Sequence, residues 1–294
     1  MAVAVAAITA LTSVIRSSSA STVMGLEKEL KDAANALQRC NDTAISLKAG
    51  CDLFLRYTTR TSALELDNFA MVKKKLIERG RHFADTSKRA RAAIAEQGQR
   101  FIRSGFTVLC HGYSRVALAV LRKAVAAGTQ FNVIVTEGRP DETGITTARA
   151  LKDSGVPTSL VLDSGVGYVM ENFPTFLLLA RVDMVLVGAE AVVENGGVIN
   201  KLGTYQIAIA ARAHSVPLYV AAESYKFARL YPLSQRDLPL ERKQIDFGPL
   251  LPPQVAVDNP SRDFTPPAYI SLLFTDLGVL TPAAVSDELI QLYS

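Results

Sequence analysis

The chain is 294 residues long, with 49% hydrophobic and 20% charged side chains, which excludes a disordered polypeptide and leaves room for about two packed domains. Lysine and arginine outnumber aspartate and glutamate only 32 to 28. The excess is scattered, so the charge balance gives no reason to expect a nucleic-acid partner.

Three cysteines, Cys40, Cys51 and Cys110, show no metal-ligand spacing and cannot all pair, as in a reducing compartment. Met1 to Ile15 is apolar, like the core of a signal peptide. No basic residue precedes it, however, and no small-residue cleavage site follows. Arg16 and Ser17-Ser18-Ser19 give only a faint transit-peptide pattern, and the run reads as an amphipathic opening helix. No segment offers the roughly 20 clean apolar residues of a bilayer span, so a cytosolic protein without a membrane partner is expected.

Up to about Gln99 the pattern is helical. Leu26, Leu30, Ala33, Ala34 and Leu37 form one stripe on a helix over 25–37. Asp52 to Tyr57 gives a second apolar segment, Asn68 to Arg79 a third rich in lysine, and Asp85 to Arg103 a fourth on an alanine-rich frame. A period near 3.6 without strands predicts a helical domain over 1–103, whose basic residues read as a solvated face.

After Ser104-Gly105 the period changes, and residues 104–294 read as a Rossmann-like α/β domain. Strands are predicted over 106–110, 131–136, 159–163, 182–187 and 218–221, alternating with helices over 115–127, 143–153, 166–171 and 205–213. Such alternation predicts a mostly parallel sheet with right-handed crossovers. Polar groups recur at strand ends as His111, Glu137, Asp163, Glu190 and Glu223, a recurrence that would ring one pocket. Glu194-Asn195-Gly196-Gly197 is a turn, and Asn200-Lys201-Leu202-Gly203-Thr204 lies directly before a helix. There a lysine, an amide, a hydroxyl and backbone N–H groups form a candidate anion cradle. Prolines crowd 230–267, which reads as a surface loop. A strand-like run over 270–274 follows, then the turn Asp276-Leu277-Gly278, then a terminal helix with Thr281 as cap and Pro282 just inside.

No G-x-S-x-G elbow, phosphate-binding loop or dinucleotide G-x-G-x-x-G follows the first strand, and Gly165-Val166-Gly167 lacks the third glycine. Nothing in the residues calls for a cofactor or a metal.

Taken together, CHGYSRVAL, VTEGRP, GAEAVVENGGVINKLGT, AAESYKF and LLFTDLGVLTPAAVSDELI, with LFLRY and LIERG in the helical part, resemble one family over almost the whole chain. It is that of the regulatory alpha subunits of eukaryotic translation initiation factor 2B, related to ribose-bisphosphate and methylthioribose-phosphate isomerases. The resemblance implies a helical N-terminal domain, a Rossmann-like C-terminal domain and a non-catalytic role. It also implies a homodimer that joins beta, gamma, delta and epsilon subunits in the guanine-nucleotide exchange complex and helps sense the phosphorylated alpha subunit of initiation factor 2. A phosphoserine would bring about two negative charges to the basic helices.

The related isomerases carry a cysteine at the position of Gly112 and an aspartate at that of Glu190. Glycine cannot move a proton, and Cys110, two residues earlier, would need a rearranged loop to replace the thiol. The resemblance thus implies a pocket that binds a sugar phosphate without turnover, formed by His111, Gly112, Tyr113, Ser114, Arg115, Glu137, Arg139, Glu190, Asn200, Lys201, Gly203 and Thr204. The chain departs from the family pattern twice. It is expected to lack part of an opening helix, and Asn172 to Ala180 looks like an insertion that Pro174 keeps from being helical.

Overall fold

The computed structural model describes residues 3–40, 45–64, 69–171, 181–238, 242, 245, 252 and 254–293. The run 172–180, read above as an insertion, lies outside them, as does part of the proline-rich stretch.

The helical half consists of α1 (Val3–Ser17), α2 (Val23–Cys40), α3 (Ile45–Leu64) and α4 (Phe69–Gly98). In α1 the buried Ala4, Ala7, Ile8, Leu11 and Ile15 recur every three or four residues, giving one face that packs between α3 and α4. The close approach is set at Gly80 of α4, where a Cβ would lie 2.1 Å from Thr12 Oγ1. The third and fourth predicted helices are one element of 30 residues. Gly80 costs such a helix only about 1 kcal/mol, and no proline interrupts 80–85, so burial of Val72, Leu76, Ala90 and Ile94 carries the helix through. α3 likewise extends well beyond the predicted 52–57.

The α/β half follows: β1 (Thr107–His111), α5 (Arg115–Ala126), β2 (Asn132–Thr136), α6 (Thr143–Lys152), β3 (Thr158–Val161), α7 (Val166–Met170) and β4 (Met184–Gly188). Then come β5 (Ala191–Val193), β6 (Val198–Lys201), α8 (Thr204–Ala213), β7 (Leu218–Ala221), β8 (Phe227–Ala228), β9 (Arg262–Thr265), β10 (Leu272–Thr275), β11 (Gly278–Leu280) and α9 (Val285–Tyr293). The main sheet has the order β11-β10-β7-β4-β1-β2-β3, parallel except where β11 turns back on β10. Its central strands β1 and β4 are buried along their whole length, which is why they read as unbroken apolar runs. β10 pairs in parallel with β7, so the apolar tail docks into this chain's own sheet.

The sequence reading missed a second sheet, β8-β5-β6-β9. The predicted turn at 194–197 joins β5 to β6 as a hairpin, and β9 pairs with β6 from within the stretch read as loop. Three or four residues per strand leave little alternation to detect, and the flanking prolines hide it. The amide of Gln235 replaces a further ladder rung, donating to the Phe264 carbonyl and accepting its N–H, both at 2.7 Å. At the C-terminus Thr281 heads a 3₁₀ turn over Pro282–Ala284 without a side-chain cap bond, and α9 begins only at Val285.

Candidate functional site

The carboxyl ends of β1, β4 and β7 open on a cavity of about 290 Å³. Tyr113, Ser114, Arg115, Glu190, Asn200, Lys201, Glu223, Lys226 and Arg262 line it from the sheet side, and Val3, Ala4 and Ser46 from the helical half. Four cations thus face two carboxylates, an excess of positive charge suited to an anion.

Each side chain is placed by a local device. Ser114 caps α5, its hydroxyl accepting the Ala117 N–H at 3.2 Å. The antiparallel register of β6 and β9 sets Lys201 directly beside Arg262. Two cations so placed repel, and Glu190 offsets this by accepting from Arg262 Nε while lying 3.8 Å from Lys201 Nζ. Lys201 also donates to Asp141 at 2.5 Å. At the deep end Glu223, 2% exposed, lies 2.9 Å from Lys226 Nζ and 3.8 Å from Arg91 of α4. Burial pushes the Glu223 carboxyl up, but the Lys226 ammonium and hydrogen bonds from Lys226 and Tyr225 outweigh it and hold the group below its ordinary range.

The anion cradle differs from the sequence reading. The start of α8 is already filled: Asp263 Oδ2 accepts the N–H groups of Gly203 at 2.8 Å and Tyr205 at 3.0 Å. Asn200 turns its amide to Thr204 Oγ1 at 3.1 Å, and that hydroxyl donates to the Lys201 carbonyl. Only the Lys201 end of the motif faces the cavity.

The ring of strand-end polar groups is divided as well. Glu190 and Glu223 line the cavity described above, whereas Asp163, Arg139 and Gly203 line a separate, shallower one, with Arg262 forming part of both. His111, Gly112, Glu137 and Thr204 line neither. His111 is 3% exposed and serves the loops, its Nε2–H donating to the Leu202 carbonyl at 2.8 Å, which leaves Nδ1 to accept the Thr136 hydroxyl at 2.6 Å. Burial pushes this imidazole down, with only Asp163 at 3.8 Å and the backbone pulling it back, so it is held neutral. Glu137 pairs with Arg139, which also binds Glu142 at 2.8 Å. Asp163 accepts the N–H groups of Gly138 and Arg139.

Gly112 has φ +58, and a Cβ there would sit 3.2 Å from Thr143 Oγ1 and 3.9 Å from Lys201 Cγ. Cys110 belongs to the opposite, apolar face among Ile94, Val120 and Phe274, and burial pushes its thiol up to about 12. Among the described residues no thiol faces Glu190. Sequence reasoning passed over Asp141, Arg262 and Asp263, the partners of Lys201, of Glu190 and of the cradle N–H groups. The Arg-Asp-Phe-Thr run of β9, ending in two β-favouring residues, was the available signal.

A family model described as the initiation factor 2 subunit family matches residues 1–282. Translation initiation factor eIF2B subunit alpha of Dictyostelium discoideum is 46% identical over 304 residues, spanning all of this chain and 92% of that protein. Ribose 1,5-bisphosphate isomerase of Archaeoglobus fulgidus is 34% identical over 258 residues, covering 87% of this chain and 77% of that one. The crystal structure of translation initiation factor eIF-2B from Pyrococcus horikoshii OT3 superposes with a TM-score of 0.75 at 25% identity, covering 95% and 90% of the two chains. The greater likeness is to the alpha subunit, and by the extent of these matches the chain belongs to the initiation factor 2 subunit family.

Proposed function

We propose that the chain is a non-catalytic, alpha-type regulatory subunit of the guanine-nucleotide exchange factor for initiation factor 2. In this role it joins the beta, gamma, delta and epsilon subunits in the cytosol and contributes to sensing the phosphorylated alpha subunit of initiation factor 2. The observation that carries the reading is the 46% identity to an alpha subunit over the full chain, against 34% to the isomerase. The site agrees with it chemically. Glycine stands at 112, Cys110 is in the core, and Glu190 is tied to Arg262 and Lys201, so the thiol and the free acid that would pass a proton between sugar carbons are not offered at these positions.

The cavity holds a sugar phosphate without converting it, the anion meeting Lys201 and Arg115. Self-association is carried by exposed apolar side chains along the free edge of the main sheet, Leu160 and Leu162, with Tyr168 of α7 and Ile209 of α8. No helix among the described residues is long and apolar enough to cross a membrane.

The test is a pull-down of the tagged chain with mass spectrometry, using phosphorylated and unphosphorylated initiation factor 2. Co-purification of the other exchange-factor subunits, with more phosphorylated than unphosphorylated factor, is expected. An isomerase assay on ribose bisphosphate runs beside it, and robust turnover abolished by Glu190→Gln would reassign the chain as an enzyme.

A further inference from the structure

Where the helical and α/β halves meet, α1, α3, α4 and α9 leave a second space of about 220 Å³, separated from the charged cavity by the packed rings of Phe83 and Tyr225. Ile8, Leu53, Phe54, Phe83 and Leu292 form its wall, and Arg79 and His82 lie at its rim. The wall is drawn from three hydrophobic clusters. Ile8 and Phe54 belong to the helical core, Leu53 and Leu292 pack on the sheet core, and Phe83 bridges to a small cluster around Ala4, Val5 and Tyr225. Interiors seldom leave apolar gaps larger than a water molecule, and roughly 150 Å³ of apolar space is enough for benzene. Scaled from those six carbons, 220 Å³ takes roughly eight to nine. Arg79 and His82 are three residues apart on α4 and share its exposed face, so a guanidinium and an imidazole stand together beside the hydrocarbon opening.

We propose that this seam is a binding site for a small aliphatic carboxylate of roughly eight carbons, with the tail in the cavity and the carboxylate at Arg79 and His82. Leu292 stands one turn beyond the buried Val285 and Leu289 of α9, so a tail packed against it and against Phe54 joins α9 to the helical half. The ligand therefore fixes the attitude of one half of the chain on the other.

The full chain is titrated calorimetrically with butanoate, hexanoate, octanoate and dodecanoate, and with octylamine, at one ionic strength. One saturable site is expected, tightening roughly three- to fourfold per methylene up to octanoate and then levelling. Octylamine should bind at least about tenfold more weakly, and Arg79→Met should weaken octanoate about fivefold while sparing octylamine, as a lost charge-assisted hydrogen bond requires. Leu53→Phe, which fills the space, should abolish binding in a variant whose circular dichroism is native. Lys201→Ala, in the other cavity, should leave it unchanged. No heat, affinity rising through dodecanoate without a break, equal binding of the amine, or indifference to Arg79→Met would each overturn the assignment.

Discussion

Asp263 accepts the backbone N–H of Gly203 at 2.8 Å, so that a carboxylate of the protein occupies the helix start that the sequence offers to a ligand. Burial pushes this carboxyl up to about 7, against the pull of the N–H groups of Tyr205, Gly203 and Thr204. An unfolded aspartate titrates near 3.9, so between about 4 and about 7 the folded chain holds a proton that the unfolded chain does not. The stability this supplies is complete below about 4 and is lost as the pH rises through 7. Asp263→Asn keeps the acceptor oxygen without the charge, and its melting temperature should gain on the wild type between pH 5.5 and 8. Asp263→Ala strands two buried donors and should cost about 2–4 kcal/mol at pH 5.5, a loss that shrinks at pH 8 as the wild type itself weakens. Equal losses for Asn and Ala would contradict this account.

The Glu223–Lys226 pair should respond with the opposite sign. Glu223 is buried, with its carboxyl held below the ordinary range, so its contribution is present above about pH 4.3 and fades as the pH falls through the folded value. Lys226→Met removes the ammonium 2.9 Å away and leaves a buried charge held by the Tyr225 hydrogen bond and Arg91 at 3.8 Å. Urea denaturation should show a loss of about 3 kcal/mol at pH 7 that shrinks at pH 3.5, where the carboxyl can take a proton instead.

Gly112→Cys places a thiol at the position where the resemblance to the isomerases implies one. The backbone there is left-handed at φ +58, and the new Cβ meets Thr143 Oγ1 at 3.2 Å, so the variant should lose about 1–2 kcal/mol. Glu190 remains engaged by Arg262 and Lys201 and has no freedom to act as the second proton carrier. Incubation with ribose bisphosphate should therefore give no ketose product. Turnover by this single variant would show that the ion pairs are no barrier.

These relationships mark the boundary of what the sequence discloses. The helix-strand alternation from Phe106 to Ala221 is legible because parallel strands buried on both faces must be apolar throughout, and a helix must follow each one. The α1–α4 bundle is legible as helical but not as four particular helices, since the apolar pattern lapses between Arg79 and Asp85, where Gly80 serves instead as the contact point for Thr12. In the site, the glycines, Lys201 and Glu190 stand out by their position after a strand. Their neutralising partners do not, because Asp141 is 60 residues from Lys201 and Arg262 is 72 from Glu190. The register of β6 and β9 brings Arg262 to Glu190, and the loop before α6 brings Asp141 to Lys201, neither of which a local pattern encodes.

Lys201 should dominate any affinity of the charged cavity for phosphate. Its ammonium is already bound to Asp141, so an anion gains only the difference between the two partners. Lys201→Ala should weaken binding of ribose 5-phosphate about tenfold, and Asp141→Asn, which frees the ammonium, should strengthen it several-fold. Calorimetry at low ionic strength reads both. A tighter Lys201→Ala variant would move the phosphate to the Arg115 and Lys226 end.

The free edge at β3 supplies the test of self-association. Leu162 is 62% exposed, Tyr168 56%, Leu160 47% and Ile209 45%. α7 packs on α8, and Gln206 reaches the Asp163 carbonyl at 3.5 Å, which brings Tyr168 and Ile209 together on one side of the edge, while Leu160, opposite Val135 of the other core, lies on the other face of the same strand. Unpaired strand edges and contiguous apolar side chains both favour contact with a second copy. Leu162→Glu combined with Ile209→Glu places like charges on that surface without touching the buried core, so the melting temperature should move by only a degree or two. Light scattering after size exclusion should give the mass of a dimer for the wild type and of a monomer for the double variant. A dimer that survives both charges would place the contact elsewhere, because two unpaired charges desolvated at an interface of ordinary size outweigh the apolar area that remains.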